Sequence, residues 1–272
     1  MSSTDADRPG APAGELLVDE PVPGVTRLTI SNPGKRGALD RPILDAFAEV
    51  VPRLHARCVL ITGADRIFSA GYDIGDLPDE VFADEAEKLI AHPFAAAIEA
   101  IEAYPYPTVA VLGGHAIGGG LELAIACDLR IAVPSARLGM PPARLGLVYS
   151  HTGIRRFIDT IGAPRTRELF LTAERIDAHT GLQWGLLNEV VEPDRIAQRA
   201  LTLASAIASN APLAQVGNKR VIDAVLAARS EIDPETERAL IEMRRACFSS
   251  GDFREGVRAF AEKREPRWQE PA

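Results

Sequence analysis

The sequence predicts an α/β protein whose last third is all helical, and three observations carry that prediction. Short β-rich runs recur in the first two thirds, "VTRLTI", "CVLIT", "TVAVL" and "LRIAV". The last three are nearly unbroken apolar runs, as expected of strands buried on both faces. Helical patterns alternate with the strands until about residue 193 and then continue alone, which is the α/β layout with a helical addition.

Taken in order, "MSSTDADRPGAPAG" (1–14) is polar and rich in Pro and Gly, and it lacks the basic start and apolar stretch of a signal peptide, so a disordered tail is expected. A core is expected over 15–192. Its first helix, "LDRPILDAFAEVVPRL", has Asp40 as N-cap and Pro42 in the first turn, with Ile43, Phe47 and Val50 or Val51 on one face. The strand "CVLITG" runs into the turn "FSAGYDI" (68–74). The strand "TVAVL" runs into "GGHAIGGGLELA" (113–124), which opens an apolar helix. A helical region is expected over 193–272, with starts at Pro193-Asp194, at Asn210 before Pro212, at Asp233-Pro234, and at "DFRE", where Asp252 and Glu255 fit a capping box.

Composition excludes several classes of function. With 38 Asp plus Glu against 30 Lys plus Arg and no long basic run, nucleic acid is not an expected partner. The apolar stretch 108–133 approaches the length of a membrane span but carries Glu122, Asp128, Arg130 and five glycines, so it reads as strand, turn, helix and strand. Cys58, Cys127 and Cys247 are far apart and form no CxxC pair, which argues against a disulfide framework or zinc site and fits a reducing, cytoplasmic compartment. His55, His92, His115, His151 and His179 show neither HxxxH nor HExxH spacing, so no metal is expected.

The two glycine-rich turns carry the chemistry. GxGxxG cannot be fitted to 113–124 and no GK[ST] follows, which argues against a nucleotide loop. Gly118, Gly119 and Gly120 stand just before a helix and leave its first N–H groups uncovered, a setting that favours negative charge. Each turn follows a buried strand and exposes backbone donors, and two such donors converging on one carbonyl oxygen would make an oxyanion hole. The competing reading is a pair of tight turns between strand and helix.

"FSAGYDI" followed by "GGHAIGGGLELAIACDLRIA", with "GLLNEVVE" and the terminal "EGVRAFAEKREPRW", resembles the crotonase, or enoyl-CoA hydratase/isomerase, superfamily over about residues 15–268. The resemblance implies repeated ββα units around a superhelical axis, a C-terminal helical part that forms trimers, often paired as hexamers, and an acyl-CoA thioester substrate with no cofactor beyond that CoA. It assigns the oxyanion hole to the backbone N–H groups of Ala70 and Gly119, and acid/base work to Glu122. Acyl-CoA contacts are implied for Lys35, Arg36 and Ala38 in "KRGAL", for Ala70, Gly71, Tyr72, Asp73 and Ile74, and for Gly118, Gly119 and Pro142. Phe260 and Lys263 are implied to serve a neighbouring subunit's CoA, or else to lie on a solvated helix face.

Pro142 falls where the family's hydratases carry a second glutamate, and Tyr149 stands just beyond it, as in the family's methylmalonyl-CoA decarboxylase branch. Tyr149 and Tyr72 are either proton-handling groups or packed phenols with satisfied hydroxyls. The resemblance implies an activity of the enoyl-CoA hydratase type, but with Pro142 in place of the second glutamate conventional hydration of crotonyl-CoA is expected to be slow. The alternatives are decarboxylation of a malonyl-type thioester, double-bond isomerisation, or a non-catalytic acyl-CoA-binding protein. Asp128 is expected to fix backbone or a neighbouring Arg, Asp73 to cap its own turn, and His115 and His151 to line turns.

Overall fold

Residues 13–64, 66–72, 90–228 and 232–268 are described by a computed structural model of the chain. The N-terminal hairpin β1 (Glu15–Val22) and β2 (Val25–Ser31) leads to helix α1 (Arg41–Val50) and strand β3 (Cys58–Gly63). Asp40 caps α1 by accepting from the Ile43 N–H, Pro42 sits in the first turn, and Ile43, Leu44 and Phe47 are buried, as the periodicity predicts. Helix α2 (Ala95–Glu102) then precedes β4 (Thr108–Leu112), the short β5 (Ala116–Ile117) and helix α3 (Gly119–Ala126).

The pattern of strand, short strand and helix repeats with β6 (Leu129–Ala132), β7 (Arg137–Gly139) and α4 (His151–Leu171), the last broken at Gly162. After β8 (Arg175–Asp177), α5 (Ala178–Gln183) and β9 (Glu189–Val190) come α6 (Ile196–Ser209), α7 (Pro212–Ala227), α8 (Pro234–Phe248) and α9 (Gly251–Glu262).

The strands form a six-stranded sheet in the order β1-β2-β3-β4-β6-β9 and a three-stranded sheet in the order β5-β7-β8. All neighbours in the larger sheet beyond the β1/β2 hairpin are parallel. Each repeat thus gives its first strand to the large sheet and its second to the small one, which is the arrangement of ββα units that the resemblance implies. Every residue of α3 is buried, because the helix runs through the core rather than over it.

The helical region differs from expectation at three starts, the first being α6, which begins at Ile196 after Arg195 rather than at Pro193-Asp194. Asp233 caps α8, as predicted. Asn210, however, ends α6, and Ala211 precedes Pro212 at the start of α7. Ser250, not Asp252, caps α9 by accepting from the Phe253 N–H at 3.1 Å. The carboxylate of Glu255 holds Arg264 instead of reaching back to the cap. Helix α6 packs Ile196, Ala200, Ala204 and Ile207 into the main core. By contrast α7 buries none of its residues and exposes Leu213, Val221, Ile222 and Val225.

Candidate active site

The two glycine-rich turns are laced together. The N–H groups of Phe68 and Ser69 donate to the His115 carbonyl at 3.0 and 3.1 Å, and the Ile117 N–H donates to the Ser69 carbonyl at 3.0 Å. The segment 36–39 runs along the other side, with Leu39 N–H donating to Gly71 O at 2.7 Å and Ser69 Oγ to Gly37 O at 2.7 Å. A backbone donor already satisfied inside the protein cannot also serve a ligand. Following each N–H therefore identifies the free ones.

In the first turn Ala70 N–H donates to Arg36 O at 3.2 Å and Gly71 N–H to Ser69 Oγ at 3.1 Å. This corrects the expectation for Ala70, whose N–H is engaged by a strand-like contact with a segment more than thirty residues upstream. The N–H of the turn without a partner among the described residues is that of Tyr72. In the second turn Gly118 N–H donates to Gly139 O, and those of Leu121 and Glu122 to Gly118 O. Gly119 and Gly120 are left with free N–H groups among the described residues, in keeping with the expectation for Gly119.

The turns also touch. Gly71 has φ +97°, and a Cβ there would stand 2.8 Å from Ile117 O and 3.5 Å from Gly119 N. A Cβ on Gly119 would lie 2.8 Å from the Tyr72 ring. Only glycine satisfies both the backbone angle at 71 and the space at 119.

Glu122, in the first turn of α3, is 2% exposed. Its Oε2 accepts the Tyr149 hydroxyl hydrogen, and its Oε1 accepts from Arg156 Nη1 at 3.1 Å. Burial pushes the Glu122 carboxyl above its ordinary 4.5, while the Tyr149 hydrogen bond and Arg156 pull it down. Burial, with Glu122 next door, holds the Tyr149 phenol well above 10, so it keeps its proton. Tyr72 is raised in the same way, and its hydroxyl lies 3.3 Å from that of Tyr149. The result is a buried chain of exchangeable protons ending on one carboxylate.

Glu122, Tyr72, Arg156 and Arg244 line a cavity of about 90 Å³ together with the edge of α2. A second cavity of about 330 Å³ is bordered by Arg36, Asn32 and Arg66. Of the expected CoA contacts, Arg36 lines this second cavity. Lys35 ends the adjoining turn, and Ala38 is buried with its carbonyl held by Asn32. Pro142 is buried in the turn Pro142–Leu145 and lines neither cavity.

Phe260 is 65% exposed and Lys263 closes the end of α9 in a left-handed conformation, and neither lines either of these two cavities. Asp73 and Ile74 lie outside the described residues. Asp128 holds the Thr108 N–H at 2.7 Å, as expected of a structural acid, but its cation is Lys219, at 2.8 Å, rather than an arginine.

Arg156, Glu102 and Arg244 were not foreseen from the sequence. One signal was available for Arg156: it falls three residues after the small Gly153, so helical spacing puts the two on the same side of α4, the side where Gly153 is buried.

Residues 21–271 match the enoyl-CoA hydratase/isomerase family. The chain is 32% identical over 255 residues to the short-chain-enoyl-CoA hydratase of Clostridium acetobutylicum, covering 88% of this chain and 92% of that protein. It is 31% identical over 243 residues to the methylmalonyl-CoA decarboxylase of Escherichia coli, covering 86% and 90%. Among solved structures, methylmalonyl-CoA decarboxylase in complex with 2-nitronate-propionyl-CoA superimposes with a TM-score of 0.85 at 27% identity, over 94% of this chain and 99% of that one. An enoyl-CoA hydratase from Mycobacterium avium subsp. paratuberculosis does so with a TM-score of 0.80 at 26% identity, over 95% and 100%. With a match that spans almost the whole chain, a sheet built of ββα units and two laced glycine turns beside a buried glutamate, the protein belongs to the enoyl-CoA hydratase/isomerase family.

Proposed function

We propose that the protein is a lyase of the enoyl-CoA hydratase type, acting on a short acyl-CoA through a thioester enolate. The observation that carries this is the pairing of unspent backbone donors, Tyr72 and Gly119, with one buried carboxylate, Glu122, three residues into the same helix. The thioester oxygen takes both N–H groups. Negative charge grows on that oxygen as the enolate forms, and each donor is worth about 3 to 4 kcal/mol there. Glu122 removes a proton from water as the oxygen adds to the β-carbon, then returns that proton to the α-carbon. Such acid/base work contributes roughly 10² to 10⁴ in rate.

Tyr149 fixes one oxygen of Glu122 and leaves its own proton in place. The reading needs no cofactor beyond the CoA of the substrate. The similarity to the short-chain-enoyl-CoA hydratase of Clostridium acetobutylicum supports a short acyl group. Three free cysteines support a reducing, cytosolic setting. The exposed apolar residues of α7 support assembly into trimers, in which Phe260 and Lys263 reach a neighbour's CoA.

A second reading, decarboxylation of a malonyl-type thioester, is favoured by Pro142 standing where a second carboxylate would hold the water. Here the C–C bond breaks, carbon dioxide leaves, its bonding electrons become the enolate in the same hole, and Tyr149 or Glu122 returns a proton to the α-carbon. Assaying crotonyl-CoA and methylmalonyl-CoA side by side with wild type, Pro142→Glu and Tyr149→Phe separates the two. Hydration of crotonyl-CoA that survives Tyr149→Phe supports the first reading. Loss of carbon dioxide from methylmalonyl-CoA that Tyr149→Phe abolishes supports the second. Tight CoA binding with turnover of neither leaves a binding protein.

A further inference from the structure

Arg156 sits between two carboxylates at the wall of the Glu122 cavity and is only 15% exposed. Its Nε and Nη2 donate to the two oxygens of Glu102 at 2.5 and 2.8 Å, a fork that fixes the plane of the guanidinium. Its Nη1 then falls on Glu122 Oε1 at 3.1 Å, while Glu122 Oε2 takes the Tyr149 hydroxyl hydrogen. There is no slack on the third side, since a Cβ on Gly153 would stand 2.8 Å from Glu122 Oε1. The three nitrogens of Arg156 are thus all engaged by protein carboxylates, although the residue borders the cavity.

We propose that Arg156, gripped by Glu102, is a positioning residue of this site: it aims the Glu122 carboxylate and supplies its counter-charge, and it does not itself hold the substrate. The inference rests on the reading of Glu122 as the group that moves the proton. Facing Glu122 are Tyr149 from the segment just before α4, Arg156 from the first turns of α4, Tyr72 from the first glycine-rich turn, Arg244 from α8, and Glu102 and Glu99 from α2. Burial and Glu102 disfavour the charged form, whereas Tyr149, Arg156 and Arg244 favour it. A guanidinium at this distance ordinarily lowers a carboxyl pKa by about 1 to 3 units, so it is the obvious means of keeping so buried a carboxylate ionised.

The test uses Arg156→Met, Arg156→Lys and Glu102→Gln in the full-length protein, with crotonyl-CoA and methylmalonyl-CoA as probes. Arg156→Met is expected to lower kcat by roughly 10- to 100-fold with little change in KM, and to move the acidic limb of the kcat profile up by about 1 to 3 pH units. Glu102→Gln removes a charge that disfavours ionised Glu122 and leaves Arg156 beside it, so the limb moves down, by less than it rises in Arg156→Met. Its kcat still falls because the guanidinium is no longer held, and Arg156→Lys recovers part of the loss in Arg156→Met. An unmoved limb, or a loss confined to KM, overturns the proposal, the latter by showing that Arg156 grips substrate.

The carboxylate infrared band absent from Glu122→Gln is titrated in parallel without any CoA ester. A band that titrates higher in Arg156→Met and lower in Glu102→Gln while neither ester turns over leaves the clamp standing and sinks the functional reading. A band that does not move sinks the clamp whatever the activity. Glu102, 40% exposed, gives a variant that keeps the test open if Arg156→Met fails to fold.

Discussion

The Tyr149 hydroxyl donates to Oε2 of Glu122 inside the protein, so the site's buried carboxylate is anchored by a phenol seventy-seven residues downstream of the ring it also touches, Tyr72. Removing that bond without removing bulk isolates its role. Tyr149→Phe is expected to lower kcat about tenfold and to raise the pH of the acidic limb, because the bond favours the charged carboxylate. Glu122→Gln is expected to lower kcat at least about a hundredfold with CoA affinity nearly unchanged. Steady-state kinetics with CoA binding by calorimetry check both, and near-normal turnover in Glu122→Gln would assign that residue a structural role.

Stability should move the opposite way from activity in the same variant. The folded-state pKa of Glu122 is raised above its ordinary 4.5 by burial. A group raised on folding contributes stability that is present below the unfolded value and lost as pH rises through the folded value. Glu122→Gln should therefore melt alongside wild type below about pH 4.5 and above it at neutral pH. A gap that is constant across this range, or reversed, contradicts the direction of the shift.

How much of this was legible in the sequence depends on the range of the interactions involved. Strands β3, β4 and β6 and the cap of α1 were readable because runs of buried residues and Asp40 act locally. Strands β5, β7, β8 and β9, of two or three residues each, are too short to show a period. The donor assignment at Ala70 failed for a related reason: what occupies that N–H is a carbonyl on another segment, at Arg36. Which amide of a turn is free is decided by its neighbours in space. Arg156 and Glu102 come from helices far apart in the chain, and their meeting could not be read from either.

Gly153 occupies the one gap left between Glu122 and Tyr149, and a Cβ there would stand 2.7 Å from the Tyr149 ring. Gly153→Ala is expected to lower kcat more than tenfold by turning the carboxylate away, with a loss of about 1 to 3 kcal/mol in unfolding free energy from overpacking. Denaturant unfolding and kinetics read the two effects, and unchanged kcat would mean the site yields without consequence.

Helix α7 offers a test of assembly. Replacing both Val221 and Ile222, 62% and 58% exposed, with Asp is expected to leave a folded monomer by light scattering, because neither side chain contributes to the core of its own chain. CoA affinity should fall in that monomer and in Lys263→Ala alike. A wild type that is monomeric, or a double variant that stays oligomeric, rejects this surface as the contact.

Asp128 ties α7 to the sheet through Lys219, which is 10% exposed, and through Thr108. Asp128→Ala should cost roughly 3 kcal/mol of stability by leaving the ammonium nearly buried with its counter-charge gone and the Tyr106 carbonyl, at 3.4 Å, as its remaining acceptor. Chemical denaturation measures it, and a loss under about 1 kcal/mol would show that Lys219 swings out to solvent.

The lacing of Ser69 to His115 and Ile117 has a consequence for how the enzyme responds to its surroundings. The donors at Tyr72 and Gly119 are peptide amides, which neither gain nor lose a proton under any condition in which the chain is folded. Their polarity is thus a constant of the backbone, beyond the reach of acidity and insensitive to which side chain stands at position 72. On the proposed reading, the pH dependence of the chemical step then lies with titrating side chains, Glu122 first among them. The charge that the hole offers to a substrate is the same in an acidified cell as in a neutral one.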